Sequence, residues 1–361
     1  MTGNAPRILF VKLSSLGDVV HHFPAVSDVR RRWPDAHLAW AVESAYAGLV
    51  KLHPAVAQSI PVNLRSLRRA WHRRTEWRAF GSSRREIESG RWDYVVDSQG
   101  LLKSALIAAS APGSRFGLDA SSARERLAAR FYDVRLPVAR RMHAVERNRR
   151  LVAQVFGYSI DGIAAEYGLA PPPSPPAWAP ESRYIVMLHA ASHKQKMWPE
   201  AWWVELGQQL AEQGYTSVLP AGTGPERAAA HRIALDVPGS LVAPPAELPE
   251  LAALLAHAWA VVGVDTGLTH LAVALGRPTV GIYCSTEPQL TGLHGQEAVN
   301  LGPSRRSMVV NSSTRSRRSF VSCFRGRPRG MRAHTAAWRG SPRSDCASGS
   351  RFAIDVVMTP P

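Results

Sequence analysis

The sequence has few cysteines, no long apolar run and few acidic residues near its end, and each shortage excludes a class of protein. Its three cysteines in 361 residues show no metal-ligand spacing and no disulfide framework, which fits a reducing compartment. The longest mostly apolar run, Leu251 to Val264, includes His257 and is too short to cross a bilayer. The first residues lack the charged and apolar regions of a signal peptide. The sequence therefore predicts a soluble, cytoplasmic protein.

Most of the net charge of +16 comes from the end of the chain. Residues 302–361 contain twelve arginines, no lysine and two aspartates, a net charge of +10, which leaves +6 for residues 1–301. This tail has no helical period and too little apolar surface to offset its ordering entropy, so we predict that 303–361 is disordered and takes no part in catalysis. Its composition resembles a GC-rich coding region read out of frame. The alternative is a basic binding arm, but the tail has no DNA or RNA motif, and no nucleic-acid partner is expected.

The rest of the chain shows two successive series of strand–helix units, as its length and its apolar fraction of 45% allow. The first series occupies residues 1–170, a proline-rich linker occupies 171–182, and the second series occupies 183–302. We predict an α/β protein of two Rossmann-like domains whose parallel sheets face a ligand-binding cleft. The predicted strands are 7–12, 37–42, 59–62, 94–97, 115–118, 184–189, 216–220, 259–264 and 279–283, and the predicted helices are 18–32, 64–88, 101–109, 142–156, 199–213, 226–235, 248–257 and 268–275.

The stretch from Val261 to Tyr283 is predicted to form a strand, a tight turn, a helix and a second strand. Such a unit joins two parallel strands by a right-handed crossover. The free N–H groups at the start of its helix, together with the helix dipole, suit a phosphate group. The alternative is that Asp265 or Thr266 serves only as a helix N-cap.

Four other polar residues follow strands or precede helices near the expected cleft. Asp18 follows the first strand, where a carboxylate can remove a proton from a hydroxyl nucleophile, or it is simply an N-cap. Lys196 can neutralise a diphosphate leaving group, and Lys12 leaves the first strand towards the same cleft, but either can be a solvated lysine. Glu226 follows a glycine-rich turn and either binds a ribose hydroxyl or is an exposed residue of a first helical turn.

Six motifs in the body of the chain occur in a recognisable order. They are Val11-Lys-Leu-Ser-Ser-Leu-Gly-Asp-Val-Val-His21, Val96-Asp-Ser-Gln-Gly-Leu-Leu-Lys-Ser104, Ala123-Arg-Glu125, His143-Ala-Val-Glu-Arg147, Lys196-Met-Trp-Pro199 and Val264-Asp-Thr-Gly-Leu-Thr-His-Leu271. Together they resemble the ADP-heptose lipopolysaccharide heptosyltransferases of glycosyltransferase family 9, which are inverting enzymes with the GT-B fold. The resemblance runs from about Arg7 to Leu301, and the first and third motifs are most similar to the heptosyltransferase I branch.

The resemblance implies roles for the candidate residues. Asp18 would be the general base, and Lys196 would stabilise the leaving diphosphate. Domain 183–302 would bind the donor ADP-heptose, and Ser192 stands in a loop where the family often has threonines near the phosphates. The other donor-binding residues would be Glu226 at the ribose and Asp265, Thr266, Gly267 and His270 at the heptose and phosphates. Domain 1–170 would bind the anionic acceptor Kdo-lipid A through Lys12, Arg65, Arg124 and Arg147.

The reaction implied is a single displacement in which a Kdo hydroxyl attacks the anomeric carbon of heptose. No metal or other cofactor is expected, because no acidic cluster of the Asp-x-Asp kind is visible in the body of the chain. The lipid-anchored acceptor implies a peripheral position on the inner face of the cytoplasmic membrane. The basic, tryptophan-bearing region 65–77 is either the face for membrane or acceptor, or a solvated helix. The alternatives kept open are heptosyltransferase II acting on the first heptose, a nucleotide-sugar epimerase of the same fold, and a non-catalytic nucleic-acid binder.

Overall fold

The computed structural model of the chain describes residues 5–302 and divides the chain into two units between Pro173 and Ser174. The prediction that the tail 303–361 is disordered and takes no part in catalysis lies outside the described residues. Within residues 5–302, no helix is both long enough and apolar enough to cross a membrane.

The first unit alternates strands and helices along the chain. Its strands are β1 (Arg7–Val11), β2 (His37–Glu43), β3 (Val56–Val62), β4 (Tyr94–Asp97), β5 (Ser114–Leu118) and β6 (Val134–Leu136). Its helices are α1 (Leu16–Val20), α2 (Phe23–Arg32), α3 (Ser44–Val50), α4 (Leu64–Arg69), α5 (Arg74–Ser89), α6 (Leu102–Ser110) and α7 (Ala144–Phe156), with a 3₁₀ turn at Arg126–Phe131.

These six strands form one parallel sheet in the order β3-β2-β1-β4-β5-β6. β1 is central, and Val11 pairs with Ala41 of β2 on one side and with Asp97 of β4 on the other. The strand order reverses between β1 and β4, because connections from β1 run one way and connections from β4 run the other. In doubly wound sheets a ligand binds beyond the carboxyl ends of the strands at such a reversal.

The second unit repeats this arrangement. Its strands are β7 (Tyr184–Leu188), β8 (Thr216–Leu219), β9 (Leu241–Val242), β10 (Ala260–Val264), β11 (Thr279–Ile282) and β12 (Ala298–Leu301). Its helices are α8 (Glu200–Glu212), α9 (Gly224–Leu235), α10 (Leu248–His257), α11 (Gly267–Ala274) and α12 (Pro288–Thr291), with a 3₁₀ turn at Lys194–Lys196.

The second sheet is also parallel, in the order β12-β11-β10-β7-β8-β9, so its reversal lies between β7 and β10. Gly263 of β10 allows α11 to pack closely on the sheet. A Cβ atom at this position would lie 2.4 Å from the Thr269 hydroxyl, which donates a hydrogen bond of 2.7 Å to the Val264 carbonyl. The glycine therefore allows the first turn of α11 to lie against the end of β10.

Two predicted helices are each divided in the structure. The predicted helix 18–32 is α1 followed by α2, with a break at His21 and His22, because Pro24 cannot donate a backbone hydrogen bond and occupies the first turn of α2 instead. The predicted helix 64–88 is α4 followed by α5, with a turn at residues 70–73. Three strands that were not predicted, β6, β9 and β12, are edge strands of their sheets.

Candidate active site

Asp18 lies in the first unit, in the first turn of α1 and beyond the carboxyl end of β1. It is not the N-cap, which is Ser15, but holds the third helical position. Its Oδ2 atom accepts hydrogen bonds from the Ser15 backbone N–H at 2.8 Å and from the Ser15 hydroxyl at 3.0 Å. Oδ1 has no hydrogen-bond partner among the described residues. One oxygen thus fixes the carboxylate in a capping box, and the other stays available to a substrate proton.

Lys12 lies beneath this loop and is almost completely buried, with 6% of its surface exposed. Its ammonium group donates to the Ser98 carbonyl at 3.0 Å and to Asn148 Oδ1 at 3.3 Å. Burial lowers the pKa of Lys12, while the carboxylates of Asp18 and Asp97 act in the opposite direction. Lys12 therefore places a positive charge near Asp18 from a position inside the fold.

Gln99 holds the loop between β1 and α1, a role that its place in the motif from Val96 to Ser104 does not predict. Its Oε1 accepts from the Leu13 backbone N–H at 2.6 Å, and its Nε2 donates to the Ser14 carbonyl at 2.7 Å. Lys103 of α6 donates to the Ser14 hydroxyl at 2.9 Å. The loop before Asp18 is thus attached to the segment after β4, on the other side of the strand-order reversal.

Three arginines of the first unit lie close to one another without an acidic partner among the described residues. Burial lowers the pKa of Arg147, and the charges of Arg140 and Arg124 lower it further. Arg147 donates to the Ser122 carbonyl at 3.0 Å, and its buried Nε has no hydrogen-bond partner among the described residues. Two of the predicted acceptor residues, Arg124 and Arg147, are thus brought together, and Arg140 was not predicted. Such uncompensated positive charge favours an anionic ligand.

Arg65, the remaining predicted acceptor residue, lies apart from this arginine cluster, on α4. Its guanidinium donates to the Tyr46 hydroxyl at 2.8 Å and lies 5.5 Å from the centre of the Tyr46 ring. Its backbone N–H faces Glu43, the last residue of β2, at 3.4 Å. Arg65 is therefore held by the segment that follows β2.

Asp265 follows β10 in the second unit and contacts three other polar side chains. Its Oδ2 accepts from Lys196 Nζ at 2.8 Å and from the Thr286 hydroxyl at 2.7 Å, and His270 Nε2 lies 3.5 Å from Oδ1. Burial alone would raise the pKa of Asp265, but the hydrogen bonds from His270, Lys196 and Thr286 outweigh it and hold the pKa well below its ordinary value. Asp265 is therefore an anion that fixes the position of Lys196. Thr286 was not predicted.

Thr266 and Gly267 form the start of α11. Thr266 is the N-cap but makes no side-chain cap bond, and Gly267 is the first helical residue. Asp265 precedes the cap, so the alternative that it is itself an N-cap is wrong. The first N–H groups of a helix have no partner inside the helix, and here they lie beside the Asp265–Lys196 pair.

A pocket of about 310 Å³ in the second unit is lined by Ser192, Glu226 and Thr266 and by apolar side chains that include Leu188, Pro220 and Leu251. Glu226 Oε2 accepts from the backbone N–H groups of Gly222 at 2.8 Å and Thr223 at 3.2 Å, which closes the capping box of α9. Oε1 has no hydrogen-bond partner within residues 5–302. An apolar pocket with one free carboxylate oxygen and two hydroxyls suits a planar base joined to a sugar.

Comparison with known protein families identifies the family of this chain. A family model described as glycosyltransferase family 9 (heptosyltransferase) matches residues 80–318, which is more than half of the chain. The chain belongs to this family.

Individual heptosyltransferases are similar to this chain over about four fifths of its length. Lipopolysaccharide heptosyltransferase 1 of Pseudomonas aeruginosa PAO1 is 43% identical over 300 residues, which are 82% of this chain and 83% of that protein. The structure of E. coli heptosyltransferase WaaC with ADP is 37% identical with a TM-score of 0.76, and the match covers 82% of this chain and 93% of that chain. The structure of WaaC with ADP-2-deoxy-2-fluoro heptose is 36% identical with a TM-score of 0.73, over 81% and 92% of the two chains.

These matches confirm that the chain is an enzyme, a glycosyltransferase of the heptosyltransferase family. They also confirm the predicted α/β fold class, since the chain has two parallel six-stranded sheets and matches the structure of a heptosyltransferase. Within the described residues, no group of three or more His, Cys, Asp or Glu side chains is placed to hold a metal ion.

Proposed function

We propose that this heptosyltransferase moves heptose from ADP-heptose to Kdo of the lipopolysaccharide inner core. The observation that carries the proposal is the similarity to proteins named for this activity: a lipopolysaccharide heptosyltransferase 1 that is 43% identical, and a heptosyltransferase solved with ADP and with an ADP-heptose analogue. The chemistry of the residues in each unit is consistent with the two substrates.

The donor is proposed to bind to the second unit. The apolar pocket accepts the adenine ring, and the free Oε1 of Glu226 accepts a hydrogen bond from a ribose hydroxyl. The diphosphate lies against Ser192, Thr266 and the N–H groups at the start of α11. Asp265 and His270, which are buried, contact the heptose, and Asp265 keeps Lys196 beside the phosphates.

In the reaction, the Kdo hydroxyl loses its proton to Asp18 Oδ1 as its oxygen forms a bond with the anomeric carbon of heptose. The bond from that carbon to the phosphate oxygen breaks on the opposite face, so the configuration inverts. ADP leaves with the electron pair of the broken bond. Lys196 and the start of α11 stabilise the negative charge that develops on the phosphate, and because they are fixed beforehand they need little reorganisation.

The anionic acceptor is proposed to bind to the arginines of the first unit. Arg124 and Arg147, assisted by Arg140, present a positive surface that lacks a carboxylate partner among the described residues. Arg147 Nε is a buried donor without a partner in that range, which a carboxylate or phosphate of the acceptor would satisfy. Arg65 contacts a second anionic group, and Lys12 adds positive charge from its buried position.

We further propose that the enzyme is peripheral on the inner face of the cytoplasmic membrane and contacts it through α4 and α5. The tryptophans Trp71 and Trp77 are 70% and 54% exposed, which is unusual for so large an apolar side chain. Trp71 lies in the turn between α4 and α5, and Trp77 lies on α5. The exposed basic residues that flank them in the sequence are Arg68, Arg69, Arg73, Arg74 and Arg78. Exposed indoles within a basic surface fit an anionic membrane interface.

The proposed function is tested by incubating the enzyme with ADP-heptose and either Kdo-lipid A or its monoheptosylated form, with the products read by mass spectrometry. The expected result is the addition of one heptose to Kdo-lipid A. Addition to the monoheptosylated acceptor alone would identify heptosyltransferase II instead. Conversion of ADP-heptose without either acceptor would point to an epimerase and contradict the proposal.

A further inference from the structure

Glu43 is a buried carboxylate that no step of the proposed reaction uses. It is the last residue of β2, and only 3% of its surface is exposed. Its Oε2 accepts from the Arg65 backbone N–H at 3.4 Å, and its buried Oε1 has no hydrogen-bond partner among the described residues. Burial raises the pKa of Glu43, while the hydrogen bond from Arg65 and the charges of Arg65 and Lys103 act to lower it. Burying a carboxylate with one oxygen unpaired costs free energy, so we expect Glu43 to have a compensating role.

The start of α4 depends on contacts from outside the helix. α4 has only six residues, too few to be stable alone, and its N-cap Asn63 makes no side-chain cap bond. The carboxylate of Glu43 meets the N–H of the second helical residue and takes the place of that cap. Ser44 donates a hydrogen bond to Asn63, and Tyr46 holds the Arg65 guanidinium. The residues around the junction of β2 and α3 therefore hold both the backbone N–H and the guanidinium of Arg65.

The same residue is connected to the loop that precedes Asp18. The Glu43 backbone N–H donates to the Leu13 carbonyl at 3.1 Å. Lys103, whose charge acts on Glu43, donates to the Ser14 hydroxyl, and Ser15 begins the helix of Asp18. Glu43 is thus placed between the helix of Arg65 and the loop that positions the general base.

We propose that Glu43 is a positioning residue for acceptor recognition: its buried carboxylate caps α4 and holds Arg65 in a fixed position relative to the Asp18 loop. This inference rests on the proposed role of Arg65 in binding the acceptor. Glu43 contacts neither substrate, so its loss weakens acceptor binding through Arg65 and leaves the donor site unchanged.

The test compares Glu43→Ala, Glu43→Gln, Arg65→Ala and the double variant in steady-state kinetics with each substrate varied in turn. Glu43→Ala is expected to raise the KM for Kdo-lipid A about tenfold, equivalent to about 1.4 kcal/mol, with kcat and the KM for ADP-heptose within about twofold. Glu43→Gln should recover most of the affinity, because its amide oxygen still accepts from Arg65. The double variant should be no worse than Arg65→Ala alone, because both changes remove one interaction.

Glu166→Ala is the matched control, since Glu166 is an exposed glutamate of the same unit that pairs with Arg31. A wild-type acceptor KM in Glu43→Ala, or additive losses in the double variant, would overturn the inference. If Glu43→Ala does not fold, Glu43→Asp decides, because the shorter side chain keeps the charge but withdraws from Arg65 and should still raise the acceptor KM severalfold. A wild-type acceptor KM in that variant also contradicts the inference.

Hydrogen exchange separates this inference from the proposed function, because it needs no activity. If wild-type enzyme fails to modify Kdo-lipid A, the proposed function is wrong. Faster exchange of the peptide covering residues 63–70 in Glu43→Ala, with other peptides of the unit unchanged, would still support the capping role of Glu43. Unchanged exchange of that peptide would contradict it in either case.

Discussion

One carboxylate oxygen of Asp18 accepts hydrogen bonds at the start of its own helix, and the other has no partner among the described residues. The variant Asp18→Asn therefore tests the role of the second oxygen. In Asp18→Asn the amide oxygen can still accept from Ser15, so the start of α1 should persist. The amide cannot take a proton from the acceptor hydroxyl. We expect kcat to fall by at least about 100-fold with an unchanged affinity for ADP-heptose, measured by turnover and calorimetry. Asp35→Asn, an exposed aspartate of the same unit, is the control, and near wild-type turnover in Asp18→Asn would remove Asp18 from the mechanism.

Lys196 differs from its neighbour Lys194 in one respect that the structure makes clear. Both belong to the same 3₁₀ turn, but only Lys196 is held by Asp265, whereas Lys194 is exposed. Because charge develops on the leaving phosphate in the transition state, Lys196→Ala should lower kcat about 100- to 1,000-fold. Lys194→Ala should stay within about twofold in the same assay. A change confined to the acceptor KM in Lys196→Ala would show that the leaving-group role is wrong.

The sequence predicts the positions of acidic residues at strand-to-helix junctions and misses residues that act through distant contacts. Asp18 stands out because it lies in the first turn of the helix that follows an apolar strand, and Asp265 because it lies between an apolar strand and the N-cap of the next helix. Gln99 supports the Asp18 loop from 85 to 86 positions away, and Thr286 reaches Asp265 from 21 positions away. A glutamine or threonine in a loop carries no local signal for such a contact. The same is true of Glu43, which resembles an ordinary strand residue until its burial is known.

At the scale of elements, α2 and α7 are joined by a buried ion pair. Arg149 is 1% exposed and donates to Asp28 at 2.7 and 3.2 Å, with Glu146 as a further partner at 3.0 Å. Among residues 5–302, Asp28→Asn leaves the buried guanidinium with Glu146 alone as an acidic partner. We expect a loss of about 3–5 kcal/mol in unfolding free energy, seen as a fall on the order of 10 °C in the Tm of this unit by calorimetry.

The control for that variant is Asp161→Asn, because Asp161 pairs with Arg150 while both side chains remain exposed. An exposed pair contributes little, so its Tm should change by no more than about 2 °C. Equal falls in Tm for the two variants would mean that burial does not determine how much the Asp28–Arg149 pair stabilises this unit.

The central strands were predicted, and of the four edge strands only part of β3 was, for a physical reason. β10, with its sequence Ala-Val-Val-Gly-Val, is covered on both faces and paired on both sides, so nearly every residue must be apolar. β6, β9 and β12 are paired on one side only, have two to four residues and include exposed or half-buried positions. Their sequences therefore lack the continuous apolar run by which a buried strand is identified. The turn at residues 70–73, which divides the predicted helix 64–88, was not predicted. The basic residues on both sides of it are compatible with a continuous helix.

At the scale of the whole molecule, the distribution of charge complicates any test of membrane association. The net charge is +16, and residues 302–361 supply +10 of it. Electrostatic attraction to an anionic surface depends on total charge and weakens as salt screens it. Burial of tryptophan side chains in the interface depends instead on one exposed surface, that of α4 and α5. The two contributions therefore respond to different changes and can be separated.

Trp71→Ala combined with Trp77→Ala is expected to weaken binding to phosphatidylglycerol vesicles at least about tenfold in co-sedimentation, because each indole contributes on the order of 1–3 kcal/mol when buried. A chain ending at Gly302 should bind less tightly at low salt yet keep the same dependence on the two tryptophans. Leu127→Ala combined with Leu235→Ala is the control, since both leucines are exposed elsewhere, at 51% and 84%. If truncation abolished binding while the tryptophan variant bound like wild type, the arginine-rich tail would be the membrane-binding element and the α4–α5 surface would have no such role.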